Sequence, residues 1–155
     1  MVAISCAEPH DAAAILALQR LAYQSEAGLY NDWSLPPLTQ SLESLVEECA
    51  TSVVLKAVMS DQIIGSVRAK VTNSVCEIGR LVVHPDHQCR GIGSSLLKSI
   101  ESRFPAASKF ELFTGSKSQA NIRLYQRHGY KVIRNEEITS AVSLTFLEKP
   151  NSSTL

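Results

Sequence analysis

Residues 52–83 hold three apolar, β-rich runs in close succession: SVVLKAVM (52–59), QIIGSVRAKV (62–71) and VCEIGRLVV (75–83), parted only by the short turns SDQ and TNS. Connections this short make each strand fold back on its predecessor, so the block predicts an antiparallel meander of three strands. A sheet of that kind is stable only when one of its faces is covered. The rest of the chain therefore has to supply helices that dock on it.

The flanking segments have that character. VAISCA (2–7) reads as a short strand, and EPHD places a proline and acidic residues where a helix begins. DAAAILALQRLAYQSEA follows, with Ile15, Leu18 and Ala22 at helical spacing, and the helix is expected to fade near Gly28. LYNDWSLPPL (29–38), with its paired prolines, reads as a loop. Leu42, Leu45, Val46 and Cys49 form a second apolar stripe, with Thr39 or Ser41 available as its cap. Beyond the meander, Ile92, Leu96, Leu97 and Ile100 share a helical face. KFELFTG (109–115) reads as a strand, and SQANIRLYQRH (118–128) as a helix closed by Gly129. YKVI and SAVSLTFLE finish as strands, and KPNSSTL (149–155) is expected to be a disordered tail. The order β-α-α-β-β-β-α-β-α-β-β predicts one mixed α/β (α+β) domain over residues 1–148.

Composition narrows the function classes. Fifteen basic residues balance fifteen acidic ones, so no net field points to nucleic acid or an anionic membrane as partner. No apolar run reaches the ~20 residues a spanning helix needs. Cys6, Cys49, Cys76 and Cys89 are scattered, without metal-ligand spacing, and the first residues lack a signal-peptide pattern. The expectation is a cytoplasmic protein with reduced thiols and no metal.

The chemistry concentrates at HPDHQCRGIGSSLL (84–97), a glycine turn between a strand and a helix. Glycines there free the backbone and let an anion approach the N–H groups of the helix start. A Walker A loop is excluded because Gly93 is followed by Ser94 and Ser95, with no lysine. A dinucleotide fingerprint lacks its third glycine, since Leu96 stands in its place. A tight loop without a ligand is the bland alternative.

The surroundings favour a ligand. VVHPDHQCRGIGSSLL resembles the acyl-CoA-binding motif of the GNAT superfamily of N-acetyltransferases, with Gln88, Gly91 and Gly93 in the signature places and VHP upstream. SQANIRLYQRHGYKVI resembles the second signature of that superfamily through Leu124, Tyr125, Gly129 and Tyr130. Ser118 occupies the usual asparagine place and Asn121 follows it, a variant form. The resemblance covers roughly residues 1–148. It implies a GNAT fold, a mostly antiparallel mixed sheet splayed between its fourth and fifth strands and flanked by about four helices.

It also implies acetyl-CoA as cosubstrate. Its pyrophosphate would lie on the N–H groups of Cys89, Arg90, Gly91, Ile92, Gly93 and Ser94, with Arg90 and Lys98 as possible added charge. Its pantetheine arm would run beside Leu81, Val82 and Val83, with Asn121 as an amide contact and a backbone N–H, that of Val82, on the thioester oxygen. Tyr125 matches the tyrosine that protonates the departing sulfur, against a bland reading as a packing residue. Glu77 stands where some members carry a catalytic base, against a reading as a solvated carboxylate paired with Arg68 or Lys70. The acceptor region falls on SEAGLYNDWSLPP, where Glu26, Tyr30, Asp32 and Trp33, together with Tyr23, suit a cationic amine. The implied activity is acetyl transfer to a primary amine by direct attack in a ternary complex. Alternatives are a different acyl-CoA or a catalytically silent acyl-CoA-binding module. The resemblance also allows a homodimer.

Overall fold

The computed structural model describes residues 2–24, 27–28 and 36–151. The meander is present as β2 (Val53–Met59), β3 (Gln62–Thr72) and β4 (Val75–Val83), paired antiparallel. Its two turns place consecutive residues in the left-handed region: Ser60 and Asp61 at φ 51° and 63°, Asn73 and Ser74 at 51° and 68°. Paired left-handed residues give the turn a twist that matches the strands it joins, which is why two residues suffice.

β1 (Ala3–Cys6) pairs antiparallel with β2. On the other side follow β5 (Lys109–Gly115), β7 (Ser143–Pro150) and β6 (Lys131–Glu137), giving the sheet order β1-β2-β3-β4-β5-β7-β6 among the described residues. β4 and β5 are parallel and pair only through Val75↔Lys109, Cys76↔Phe110 and Glu77↔Glu111. Beyond those residues the two strands part and a gap opens in the middle of the sheet, as expected for the splayed fold.

Five helices flank the sheet among the described residues: α1 (Ala12–Ala22), α2 (Pro36–Thr39), α3 (Leu42–Thr51), α4 (Ile92–Ser102) and α5 (Gln119–Arg127). Glu8 and Asp11 form a reciprocal cap ahead of α1, and Ser41 caps α3 by accepting from the Ser44 N–H at 3.1 Å. α1 ends at Ala22, and the described residues 24, 27 and 28 are again helical, in keeping with the expected fade near Gly28. The paired prolines open α2 instead of lying in a loop, because a first helical turn needs no donor from them.

α4 packs closely on the meander. Its Ile92, Leu96, Leu97 and Ile100 join Val67, Ala69, Cys76, Ile78, Phe110 and Leu112 in the main core. Gly65 permits the approach, since a Cβ there would lie 2.9 Å from Leu96 Cδ1 and 3.2 Å from the Val82 carbonyl oxygen. The thiol of Cys76, buried in this core, is pushed up to about 12 by burial. Cys6, Cys49, Cys76 and Cys89 are all free.

α1 and α3 cover the opposite face with a smaller apolar cluster of Ala12, Ile15, Leu16, Leu45 and Val54. The C-terminal segment departs from expectation. β7 includes Lys149 and Pro150, and Asn151 is buried, donating to the carbonyls of Phe104, Pro105 and Ala107 at 3.2, 3.2 and 2.8 Å. Order thus passes the expected boundary at 148, because a side-chain amide supplies donors to carbonyls that follow α4. No helix among the described residues is long and apolar enough to cross a membrane.

Candidate active site

The gap between β4 and β5 forms one wall of a cleft of about 510 Å³. Leu81, Val82 and Val83 line it from β4; Gln88, Cys89, Gly91, Ile92, Gly93 and Ser94 line it from the glycine turn; Asn121 lines it from α5. Sequence reasoning thus placed most of its cofactor candidates around one volume. Arg90 and Tyr125 are not among the lining residues, and neither is Lys98.

Local backbone geometry explains the turn. Cys89 and Gly91 have φ of 64° and 79°. A Cβ at residue 91 would meet nothing within 4 Å, so glycine serves the dihedral there rather than the space. The bond from Ser95 N–H to the Gly91 carbonyl, 3.0 Å, opens α4. The preceding N–H groups have no carbonyl within the helix to reach and face the cleft at the positive end of the dipole. Gln88 closes the turn by donating from Nε2 to the Val83 carbonyl at 3.3 Å. Ser94 Oγ lies 2.9 Å from His128 Nε2, and burial holds the His128 imidazole below its ordinary value. Asn121 is oriented by donating to Thr114 Oγ1 at 3.3 Å.

Strand alternation decides which N–H groups face the gap. His84 N–H donates to the Ile64 carbonyl of β3 at 2.7 Å. Successive N–H groups point to opposite edges, so Val82 N–H faces β3, while those of Leu81 and Val83 face the gap. The oxyanion donor expected at Val82 is therefore reassigned to its neighbours.

Two residues given chemical roles lie elsewhere. Tyr125 is 6% exposed in the α4-side core, its ring centroid 6.0 Å from that of Tyr130. Glu77 is exposed where β4 and β5 still pair, in register with Lys70 and Glu111. Four residues of strand separate it from Leu81, about 13 Å. Glu26, Tyr30, Asp32 and Trp33 lie outside the described residues.

The cleft also contains residues that the motifs did not indicate. Lys117 and Arg127 add positive charge and Ala22 brings in the end of α1, beside Tyr23, which the sequence had grouped with the acceptor candidates. Arg127 stands three residues after Leu124, another lining residue, so helical spacing alone would have put it on that face. Lys117 follows a strand end and carries no such signal. Among the described residues, no group of three or more His, Cys, Asp or Glu side chains is placed to hold a metal ion.

A model of the acetyltransferase (GNAT) family matches residues 13–130. The chain belongs to that family. No curated protein matches it by sequence. Among solved structures, the PaiA N-acetyltransferase of Thermoplasma acidophilum, in complex with coenzyme A, superposes with a TM-score of 0.81 at 20% identity, covering 97% of this chain and 99% of that one. The ribosomal-protein-S18-alanine N-acetyltransferase of Escherichia coli gives 0.81 at 17% identity, over 98% and 95% of the two chains. A phosphinothricin acetyltransferase of Sinorhizobium meliloti, in complex with acetyl-CoA, gives 0.78 at 16% identity, over 97% and 88%. At these identities the likeness is one of fold, and this GNAT chain has the seven-stranded mixed sheet with β4 and β5 parallel that the fold requires.

Proposed function

We propose that this GNAT protein transfers the acetyl group of acetyl-CoA to the primary amine of an acceptor bound in the same cleft. One observation carries the reading: the N-terminus of α4 and the unpaired edge of β4 open into a single cleft. A phosphate site and a row of free strand N–H groups suit a molecule with an anionic end and an amide-bearing arm. Acetyl-CoA supplies a thioester whose carbonyl carbon takes up the amine nitrogen as the C–S bond breaks, the amine losing one proton and the thiolate gaining one.

The residues of the chain would divide the work as follows. The N–H groups of residues 91–94 hold phosphate oxygens, with Lys117 and Arg127 adding charge. Leu81 and Val83 N–H groups bind the amide-bearing arm and one of them polarises the thioester oxygen, an effect commonly worth ~3 kcal/mol in the barrier. Asn121 contacts an arm amide. Tyr125 is retained as the proton donor to sulfur, with the reach of its hydroxyl from a buried position as the point to test. The amine proton is assigned to water, since Glu77 stands about 13 Å along the strand from Leu81.

The test is calorimetric titration of CoA together with detection of free thiol over an amine panel. Gly93→Val adds a side chain into the cleft where a Cβ would make only ordinary contact, 3.5 Å from Leu124. It is expected to weaken CoA binding at least about tenfold, ~1.4 kcal/mol, in a folded chain. Equal affinity would remove CoA from this cleft. Tyr125→Phe is expected to lower kcat by ~10²-fold with CoA affinity intact. Full kcat in that variant would make Tyr125 a packing residue.

A further inference from the structure

α4 and α5 meet at the glycine-turn end of the cleft through two adjacent contacts. Gly93 packs toward Leu124, whose Cδ2 lies 3.5 Å from the place a Cβ on residue 93 would take. One residue on, Ser94 Oγ lies 2.9 Å from His128 Nε2. Ser94 lines the cleft and is the third residue of α4. Its own N–H precedes the first bond within the helix, which runs from Ser95 N–H to the Gly91 carbonyl. The hydroxyl and the N–H of Ser94 thus stand together where the helix start draws an anion.

The end of α5 fixes the imidazole. His128 N–H donates to the Tyr125 carbonyl at 3.0 Å and Gly129 N–H to that of Gln126 at 3.1 Å, with Gly129 left-handed at φ 92°. Half-buried His128 has Ser94 as its one side-chain hydrogen-bond partner among the described residues. A hydroxyl has a single hydrogen, which points in one direction only. If Ser94 O–H donates to the ring, the serine turns its lone pairs to the cleft and repels an anion. If Nε2–H donates to Oγ, the hydroxyl hydrogen is free to point into the cleft. An anion there selects the second arrangement, and a protonated imidazole enforces it, because both of its nitrogens are donors.

The surroundings hold the ring neutral until an anion arrives. Lys98 and Glu101 act on it from α4, Lys149 from β7 and Arg127 from its own helix. Glu101 is already engaged, accepting from Lys149 Nζ at 2.9 Å and from the Tyr130 hydroxyl at 2.7 Å. Burial, followed by the three cations, outweighs Glu101 and keeps the imidazole below its ordinary value. A phosphate beside Ser94 adds negative charge and shifts that balance toward the protonated ring.

Resting on the function proposed above, we infer that His128 is a positioning residue for the cofactor: its Nε2–H holds Ser94 Oγ so that the serine hydroxyl donates to a phosphate oxygen of CoA. The anionic end is then held by a side-chain donor as well as by main-chain N–H groups, and CoA binding takes up a proton at His128.

The experiment is calorimetric titration of CoA from about pH 8 to about pH 5.5, in buffers of different ionisation enthalpy, so that proton uptake is read together with affinity. Ser94→Ala is expected to weaken binding ~10-fold and His128→Ala ~5-fold, with the double variant no weaker than Ser94→Ala. His128→Gln keeps a donor amide without a titratable group. It should bind within ~2-fold of the parent at about pH 8 and lack the extra proton uptake of the parent on the acid side. The phosphates of CoA titrate alike in both chains, so the difference belongs to His128. Thermal unfolding shows whether His128→Ala keeps its fold, and if it does not, Ser94→Ala and His128→Gln decide. Additive losses in the double variant, full affinity in Ser94→Ala, or the same proton uptake in His128→Gln as in the parent would each overturn the inference. A parent chain that binds no CoA at any pH would instead overturn the function on which it rests.

Discussion

The two faces of the sheet are built from different materials. On the α4 side, Leu96, Leu97 and Ile100 are fully buried against aliphatic and aromatic neighbours, and the contacts are almost wholly apolar. On the α1 and α3 side, a small apolar cluster shares the space with buried polar groups. Gln19, 1% exposed, donates to the Pro37 carbonyl at 2.8 Å and to Gln40 Oε1 at 3.0 Å, while Arg68 reaches Glu48 at 2.6 Å. Burial pulls the Arg68 guanidinium below its ordinary value, against the Glu48 carboxylate, and the nearby Arg80 adds to the fall. The first face gains stability from area removed from water. The second holds polar side chains in fixed places through buried hydrogen bonds, at little net gain. Apolar packing and fixed polar geometry are thus separated by the thickness of one sheet.

Substitutions on each face should expose that division. The largest effect is expected from Leu97→Ala, which leaves a cavity in the apolar face and should cost about 3–4 kcal/mol in urea unfolding, with no change in CoA affinity per folded molecule. Arg68→Met strips partners from Gln19, Gln40 and Glu48 together and should cost ~2–3 kcal/mol. Because the sheet lies between them, the double variant should be additive to within ~0.5 kcal/mol. Strong coupling in that cycle would mean that the faces are not independent.

A smaller effect follows from Asp11. Burial alone would raise its carboxyl, but the Glu8 N–H bond and the Lys56 ammonium at 2.8 Å outweigh it and hold the group below its ordinary value. A carboxyl lowered in the folded state contributes stability that is complete above its unfolded value, near 4, and is lost as pH falls through the folded one. Asp11→Asn should therefore cost ~1 kcal/mol at neutral pH and flatten the pH dependence of stability below about pH 4. An unchanged acid limb would place the pair among those that contribute nothing measurable. The smallest effect belongs to β6, every residue of which is exposed: Val132→Thr should stay within ~0.5 kcal/mol of the parent.

Local pattern is what made most of the fold legible. The turns at 60–61 and 73–74, the apolar stripe of α4, the Ser41 cap and the left-handed Gly129 at φ 92° depend on residues a few positions apart, and the sequence displays them directly. The glycine turn was legible for the same reason, as the dihedral at Gly91 and the start of α4 are adjacent in the chain. Even the bulge in β4, where Arg68 pairs with Gly79 but Ser66 with Val82, leaves a local trace, the apolar positions 76 and 78 giving way to 81 and 83.

What tertiary structure alone decided are the meetings of distant residues. Gln19 and Arg68 are 49 positions apart, and Asn151 and Ala107 are 44 apart. No spacing rule relates them, because their contact depends on how α1 and the end of β7 dock. The same holds for Glu77 and Tyr125. Motif position suggested chemical roles for both, but the extent of β4–β5 pairing puts one outside the cleft, and the packing of α5 buries the other. Sequence by itself determined most of the elements, their order and the glycine turn, since each arises from the dihedral and solvation preferences of neighbouring residues. Only the folded sheet, by choosing where two parallel strands stop pairing and where one gains an extra residue, decided which side chains share the cleft.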